Sequence, residues 1–282
     1  MFSRSYKAAV TVPPLAWVAL FLLTPYVLMF CYSFWAVTPA QEIVHQWNFN
    51  NYRELAHKTV YPETLFRSMW IAGRVTILSL LLGYPLAYYV SFQAGRRKDL
   101  IYQLVIIPLW VSYLVRAYAW KTILGSEGVL NTLLQYVHLT SHPLEYLLYS
   151  PFAVVLTLTH IYTPFTFLPI YAALEHIPRN LVEASQDLGA SPTQTFWRVI
   201  FPLSIPGVLA GATFAFVLSL GDFLAALLLG GPSGIMISSI VASLFGAAYN
   251  WPLGAAISLC MLVLVVGLLF LAERLEKKWS FS

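Results

Sequence analysis

The sequence is poor in charge, in cysteine and in the short motifs that mark common enzyme sites. Only 10% of its 282 residues are charged, against about 25% in ordinary soluble domains, while 59% are hydrophobic. Too few polar side chains remain to cover a water-exposed surface, which excludes a soluble globular fold. Intrinsic disorder needs low hydrophobicity and high charge, so it is excluded as well. We therefore predict an all-α, polytopic membrane protein.

Motifs for catalysis and nucleotide binding are also missing. The sequence contains no GxxxxGKS/T phosphate loop, no HExxH, no CxxC and no GxSxG. Its two cysteines lie inside apolar runs, where a thiol behaves as a small hydrophobic group. His138 and His142 have the spacing of metal ligands, but solvated loop histidines are the alternative interpretation. We predict no enzyme, no cofactor and no metal site, so any pumping needs an ion gradient or another polypeptide.

Six apolar stretches reach the roughly 20 residues that a helix needs to cross a bilayer. They are residues 11–37, 69–92, 100–124, 150–174, 203–229 and 250–272. A further apolar run, 235–249, is too short to cross, and we predict a short segment on the outer side. Residues 126–138 predict a short amphipathic helix on the same side. The sequence therefore predicts six transmembrane helices.

The positions of lysine and arginine predict the orientation of these helices. Ten of the sixteen basic residues fall in the two terminal segments and in the loops after the second and fourth spans. Since cytoplasmic loops carry the excess of positive charge, both termini are predicted to be cytoplasmic. The net charge of +4 thus reflects topology and gives no argument for nucleic acid. The chain divides into a first span with its outer loop (1–64), a five-helix membrane core (65–272) and a cytoplasmic tail (273–282).

The most informative stretch is the inner connection at residues 175–202. Residues 179–188 predict a helix, and Gly189 follows where a left-handed C-terminal cap places glycine. Ser191 has the position of an N-cap, with Gln194 as its capping-box partner. The pattern predicts two short helices at a bend. They form either an ordinary amphipathic inner loop or an element that docks onto another protein.

This stretch resembles the EAA loop of binding-protein-dependent ABC importers, whose pattern is EAA-x3-G-x9-I-x-L-P. The residues at the positions of that pattern are Glu183, Ala184, Ser185, Gly189, Val199, Phe201 and Pro202. Ser185, Val199 and Phe201 depart from the pattern by mild changes in size. The resemblance covers about residues 65–272 and implies the transmembrane core of a type I ABC importer, with the hairpin as its coupling helix.

The resemblance further implies a permease subunit in a bacterial inner membrane, working by alternating access. The hairpin would sit in a groove of a cytoplasmic ATPase, with Gly189 permitting the bend and Glu183 contacting the ATPase. The coupling residues so implied are Glu183, Ala184, Ser185, Asp187, Gly189 and Pro202. The implied partners are an ATPase dimer, a second homologous permease and an extracytoplasmic solute-binding protein.

Further stretches resemble the spermidine/putrescine branch of these importers. They are residues 108–120, 220–223 and 229–232. A polyamine is the substrate that this resemblance implies, and another small organic solute, iron or phosphonate is the alternative. The rival function is a proton- or cation-coupled secondary transporter that uses Asp222.

Charges inside the predicted spans are functional candidates, because a charge at the centre of a membrane helix costs about 2.5–3.5 kcal/mol. They are Arg74, Arg116, Lys121 and Asp222. One interpretation is a structural ion pair of Asp222 with Arg74 or Arg116. The other places Asp222 on a substrate pathway, where a carboxylate and aromatic faces suit a cationic solute. The aromatic residues that share one face of the third span beside Arg116 are Trp110, Tyr113 and Trp120. They serve either packing or this pathway.

Overall fold

A computed structural model describes residues 4–38 and 40–280 of the chain. Its α-helices are α1 (Arg4–Ser33), α2 (Asn50–His57), α3 (Val60–Phe92), α4 (Lys98–Trp110), α5 (Tyr113–Leu124), α6 (Val129–Tyr136), α7 (Pro151–Glu175), α8 (Arg179–Asp187), α9 (Pro192–Thr195), α10 (Phe201–Gly221), α11 (Leu224–Leu229), α12 (Ile237–Phe245) and α13 (Trp251–Ser280). Short 3-10 turns cover Gly95–Arg97, Glu145–Leu147 and Pro232–Gly234, and a π-helical turn covers Phe196–Ile200. Two short strands, β1 (Ala36–Val37) and β2 (Ile43–Val44), pair antiparallel. The predicted all-α polytopic class is confirmed.

Within the described residues, five helices are long and apolar enough to cross a membrane. They are Val10–Ser33, Val60–Phe92, Pro151–Glu175, Pro192–Gly221 and Trp251–Arg274. The prediction of the third span as a single helix is wrong, because the span is broken after Trp110. The helical segments on the two sides of the break, Gly95–Trp110 and Tyr113–Tyr136, meet at an angle of 94°. Val111 and Ser112 take extended backbone, with ψ of 135° at both. Pro108, which has no N–H to continue the helical hydrogen bonds, lies just before this break. Counted as one broken span, α4 and α5 bring the total to the predicted six.

The predicted fifth span, 203–229, is also interrupted. α10 ends at Gly221 and α11 begins at Leu224, because Asp222 takes extended backbone with φ of −74° and ψ of 117°. The apolar run that follows forms the nine-residue helix α12, and the predicted outer helix at 126–138 is α6. An acidic residue therefore stands at a helix break, where its backbone N–H still bonds to Ser219 of α10 and its carbonyl oxygen accepts a hydrogen bond from Ser238.

Contacts divide the chain into two compact units. The first contains Met1–Pro62 and Ile240–Leu264, and the second contains Glu63–Ser239 and Val265–Ser282. In the first unit, the Asn51 side-chain amide donates to the carbonyl oxygens of Ser33 and Trp35, at 2.8 Å each. These bonds satisfy carbonyl groups that the end of α1 leaves without helical partners.

In the second unit, α7 is the central helix. It supplies six of the thirteen buried residues in one hydrophobic cluster and three of the seven in a second, and Ile161 and Phe167 are fully enclosed. α10 approaches α7 closely at Gly207, where an added Cβ would lie 2.6 Å from the Cβ of Ala173. Small residues at such a contact let two membrane helices pack backbone against backbone. The N-terminal half of α10 is therefore packed closely against α7.

Candidate functional site

The predicted inner hairpin forms as two short helices joined at Gly189. α8 ends at Asp187 with Leu188 as its C-cap, and Gly189 takes a left-handed conformation with φ of +82°. The Ala190 N–H donates to the Ser185 carbonyl oxygen at 3.1 Å, and the Gly189 N–H donates to the Gln186 carbonyl oxygen at 2.8 Å. This pair of bonds is the Schellman motif that a C-terminal glycine permits. The predicted helix and its glycine cap are both confirmed.

The second arm of the hairpin begins with the predicted capping box. The Ser191 Oγ accepts from the Gln194 N–H at 3.3 Å, and the Gln194 Oε1 accepts from the Ser191 N–H at 2.9 Å. A hydrogen bond of 2.6 Å between the hydroxyls of Ser185 and Thr195 joins the two arms. Ser185 replaces the second alanine of the EAA pattern, and alanine could not make this bond. The departure from the pattern therefore stiffens the hairpin.

A widened helical turn connects the hairpin to α10. The Phe201 N–H donates to the Phe196 carbonyl oxygen, five residues earlier, and Pro202 follows. Since proline has no N–H, it cannot supply the regular bond to the Arg198 carbonyl. Such π turns often occur at functional sites. Pro202 thus lies where the hairpin becomes a membrane helix.

The tip of the hairpin is exposed. The Leu188 side chain is 89% exposed, and Glu183, Ala184 and Asp187 are exposed on the same helix. A groove of about 310 Å³ lies beside the tip, between Leu188 and Arg198. The tip therefore presents an exposed leucine next to the exposed Asp187 on a rigid bend.

The second polar site centres on Asp222, which is 8% exposed. Its Oδ2 accepts hydrogen bonds from the hydroxyl of Tyr113 and, at 2.8 Å, from the hydroxyl of Tyr162. Its Oδ1 accepts from the Ala225 N–H at 2.9 Å, and its backbone carbonyl accepts from the Ser238 hydroxyl at 2.6 Å. One residue therefore ties together α5, α7, α10, α11 and α12. We call Asp222, Tyr113, Tyr162 and Ala225 the Asp222 cluster.

The predicted ion pair between Asp222 and an arginine is not formed. Among the described residues, the ion pairs are Lys58–Glu54, Lys98–Glu175 and Lys277–Glu273. The Asp222 carboxylate has hydroxyl and amide donors instead, so it is satisfied without a counter-ion. Arg74 lies over the Trp70 ring, 4.9 Å from its centroid. Arg116 keeps its Nε and Nη1 buried without a hydrogen-bond partner in the described structure.

The three aromatic residues of the predicted common face are separated by the helix break. Trp110 is the last residue of α4 and is 84% exposed, whereas Tyr113 begins α5 and contacts Asp222. The Trp120 Nε1 donates to the His160 Nδ1 at 3.1 Å. The assumption of one continuous helix failed here, because α4 and α5 run in different directions.

Tyr162 and His160 are site residues that the sequence analysis missed. Both lie on α7, and His160 also lines an apolar groove of about 740 Å³ with Trp120. The sequence does carry a sign of them. Polar side chains are rare inside a membrane span, yet residues 157–163 of α7 contain several. Among residues 4–38 and 40–280, no group of three His, Cys, Asp or Glu side chains is placed to hold a metal ion.

This architecture of long apolar helices, broken spans and a rigid hairpin is that of a multi-pass membrane protein. Residues 56–281 match the family described as binding-protein-dependent transport system inner membrane component. The chain belongs to that family.

Individual relatives agree with the family match. The chain is 34% identical to the spermidine/putrescine transport system permease protein PotB of Haemophilus influenzae, covering 93% of this chain and 91% of that protein. It is 39% identical to the inner membrane ABC transporter permease protein YdcU of Escherichia coli, covering 80% and 75%. A solved structure of a bacterial ABC transporter that imports alginate shares the fold, with a TM-score of 0.75 at 20% identity over 97% of this chain and 95% of that one.

Proposed function

We propose that this chain is the permease subunit of an ATP-driven importer that moves a polyamine across the bacterial inner membrane. The observation that carries the proposal is the α8–α9 hairpin, which presents an exposed tip on a bend fixed at both ends. The polyamine substrate is supported by the similarity to a spermidine/putrescine permease over most of both chains. The Asp222 cluster adds a buried carboxylate, whose negative charge complements the positive charge of a polyamine.

In this proposal, the hairpin is the contact with a separate cytoplasmic ATPase. Glu183 and Asp187 are exposed and supply polar contacts, and the exposed Ala184 leaves room between them. Gly189 and Ser185 keep the bend rigid, and Pro202 marks the connection to α10. ATP hydrolysis would occur on that partner, because the sequence has no phosphate-binding loop. A second homologous permease and an extracytoplasmic solute-binding protein complete the importer.

The substrate pathway of this proposal passes the Asp222 cluster. Both carboxylate oxygens already accept hydrogen bonds, so an ammonium group reaches Asp222 only by displacing a donor. Tyr113 is the donor to displace, because it directly follows the bend between α4 and α5. Trp110 and Trp120 offer aromatic faces to a cation.

Reconstitution in liposomes tests this function. Liposomes that contain the chain with its ATPase, second permease and binding protein should accumulate radiolabelled putrescine only when ATP is present on the side of the membrane where the ATPase is bound. Gly189→Asp should abolish uptake, since an aspartate at φ of +82° strains the bend and adds charge to the docking tip. Gly73→Ala is the matched control, because nothing lies within 4 Å of an added Cβ there.

The same assay separates the alternatives. Gradient-driven uptake by the chain alone, lost in Asp222→Asn but kept in Gly189→Asp, would establish a secondary transporter and refute the proposal. If ATP-driven uptake is present but is inhibited by a phosphonate or an iron chelate rather than by spermidine, the importer stands and the polyamine assignment is wrong.

A further inference from the structure

Arg179, the first residue of α8, makes its contacts outside the hairpin. Its Nη2 donates to the Ser91 carbonyl oxygen at 2.5 Å, and its guanidinium carbon lies 4.4 Å from the centroid of the Phe92 ring. Glu183, one helical turn further on, would be the usual ion-pair partner at that spacing. Among the ion pairs of the described residues, Arg179 and Glu183 do not appear. The guanidinium therefore faces α3 and leaves Glu183 unpaired.

The acceptor of this bond is the C-terminal end of α3. Ser91 and Phe92 are the last two residues of that helix, whose final carbonyl groups have no helical donors. A cation at this end is also favoured by the helix dipole. Arg179 thus acts as a C-terminal cap for α3, supplied from a different helix.

The widened turn that continues the second arm packs on the same helix. The Phe196 ring contacts the rings of Tyr84 and Tyr88, with centroids 5.9 and 5.5 Å apart. The Ser185–Thr195 hydroxyl bond joins the arms, so both arms rest on α3 as one body. By contrast, α7 and α10 are joined to the hairpin through the chain itself.

We propose that Arg179 is a positioning residue that transmits movement of the α8–α9 hairpin to α3. This inference rests on the proposed importer function. The covalent chain links the hairpin to α7 and α10 alone, and α3 follows only through noncovalent contacts. Of these, the Arg179 contact is the charged one, and it acts at the very end of the helix. Without it, the ATPase would move the hairpin while α3 lags behind.

The test uses the complete importer in liposomes, with three variants. Arg179→Met keeps the aliphatic chain and removes the charge and the donors, whereas Arg179→Lys keeps the charge. Arg96→Met is the matched control. Arg96 is an exposed arginine in the turn after α3, and among the described residues its side chain makes no hydrogen bond or ion pair. The measured quantity is the number of putrescine molecules taken up per ATP hydrolysed. Thermal stability and co-purification of the ATPase are measured beside it.

Arg179→Met should lower the transport-to-ATP ratio about fivefold, since it loses both a helix-end bond and a cation–π contact. Arg179→Lys should recover part of the ratio, and the ATPase should co-purify normally with all three variants. An unchanged ratio in Arg179→Met would overturn the inference. The inference would also be overturned if Arg179→Met lowered the thermal stability and its transport-to-ATP ratio recovered at a lower temperature. Arg179 would then have only a structural role.

A distance measurement provides a second test. Spin labels at Gln93 and Gln186 flank the groove of about 300 Å³ between α3 and the hairpin. In the native background their separation should stay constant through the ATP cycle, and in Arg179→Met it should change with nucleotide. A separation that changes equally in both would refute the transmission. If no ATPase binds even the native chain, the proposed function fails first, and the ratio has no meaning.

Discussion

Asp222→Asn is the substitution that best separates structure from transport in this protein. The carboxylate accepts three hydrogen bonds, two of them at Oδ2 from Tyr113 and Tyr162. Asparagine keeps one oxygen, and its amide places N–H groups where the phenols donate. Because a hydrogen bond to a charged group contributes about 1.5–3 kcal/mol, losing one to two of them should destabilise the subunit by about 1.5–6 kcal/mol.

The assay is thermal or denaturant unfolding of the purified subunit in detergent. Glu127→Gln is the matched control, since it makes the same carboxylate-to-amide change on an exposed loop. That change should shift the unfolding free energy by no more than about 0.5 kcal/mol. Tyr162→Phe should cost less than Asp222→Asn, because it removes one donor and leaves the carboxylate in place.

Equal stabilities of Asp222→Asn and Glu127→Gln would refute the reasoning, because the Asp222 cluster would then contribute nothing to the fold. Uptake gives the second comparison. If Asp222→Asn folds but its apparent affinity for a diamine matches that of the native protein, the carboxylate does not belong to the substrate site. A loss of affinity beyond that of Tyr162→Phe supports the pathway.

Other substitutions test the packing and the caps. Gly207→Val should cost about 1–3 kcal/mol of unfolding free energy, because α10 must move away from α7, whereas Gly73→Ala should be neutral or stabilising; equal effects would contradict the close contact. Asn51→Leu should cost about 1–3 kcal/mol by leaving two carbonyl oxygens without donors, and faster proteolysis of the outer loop after residue 33 would report it. Ser185→Ala should destabilise the hairpin by about 1 kcal/mol, which would be measured as faster amide exchange at Thr195. Unchanged exchange would argue against a stabilising bond between Ser185 and Thr195.

The hairpin could be predicted in detail because the capping signals that define it are local in the sequence. Gly189 is the glycine of a Schellman motif, and Ser191 with Gln194 is a capping box; both act within five residues of chain. The bond between Ser185 and Thr195 could not be foreseen in the same way. It depends on the angle between the arms, which no single arm determines.

The Asp222 cluster was predicted only in part, because its bonds join distant segments. Asp222 was identified as a charge within a span, and Tyr113 as part of an aromatic face. Their contact exists because two helices break, one after Trp110 and one at Asp222. Hydropathy treats each of these stretches as continuous, so it cannot place a phenol against a carboxylate. Charge alone favours an arginine as the partner of Asp222, whereas the structure satisfies its carboxylate with the neutral hydroxyls of Tyr113 and Tyr162.

The most direct test of the account is a photo-crosslinking amino acid at Leu188, which is 89% exposed at the hairpin tip. In membranes that contain the complete importer, we predict a crosslink to the nucleotide-hydrolysing subunit, with a yield that changes between ATP-bound and ATP-free states. The same label at Arg96, in the turn that follows α3, should give a lower yield. Crosslinks to lipid alone, independent of nucleotide, would contradict the assignment of the hairpin as the point of ATPase contact.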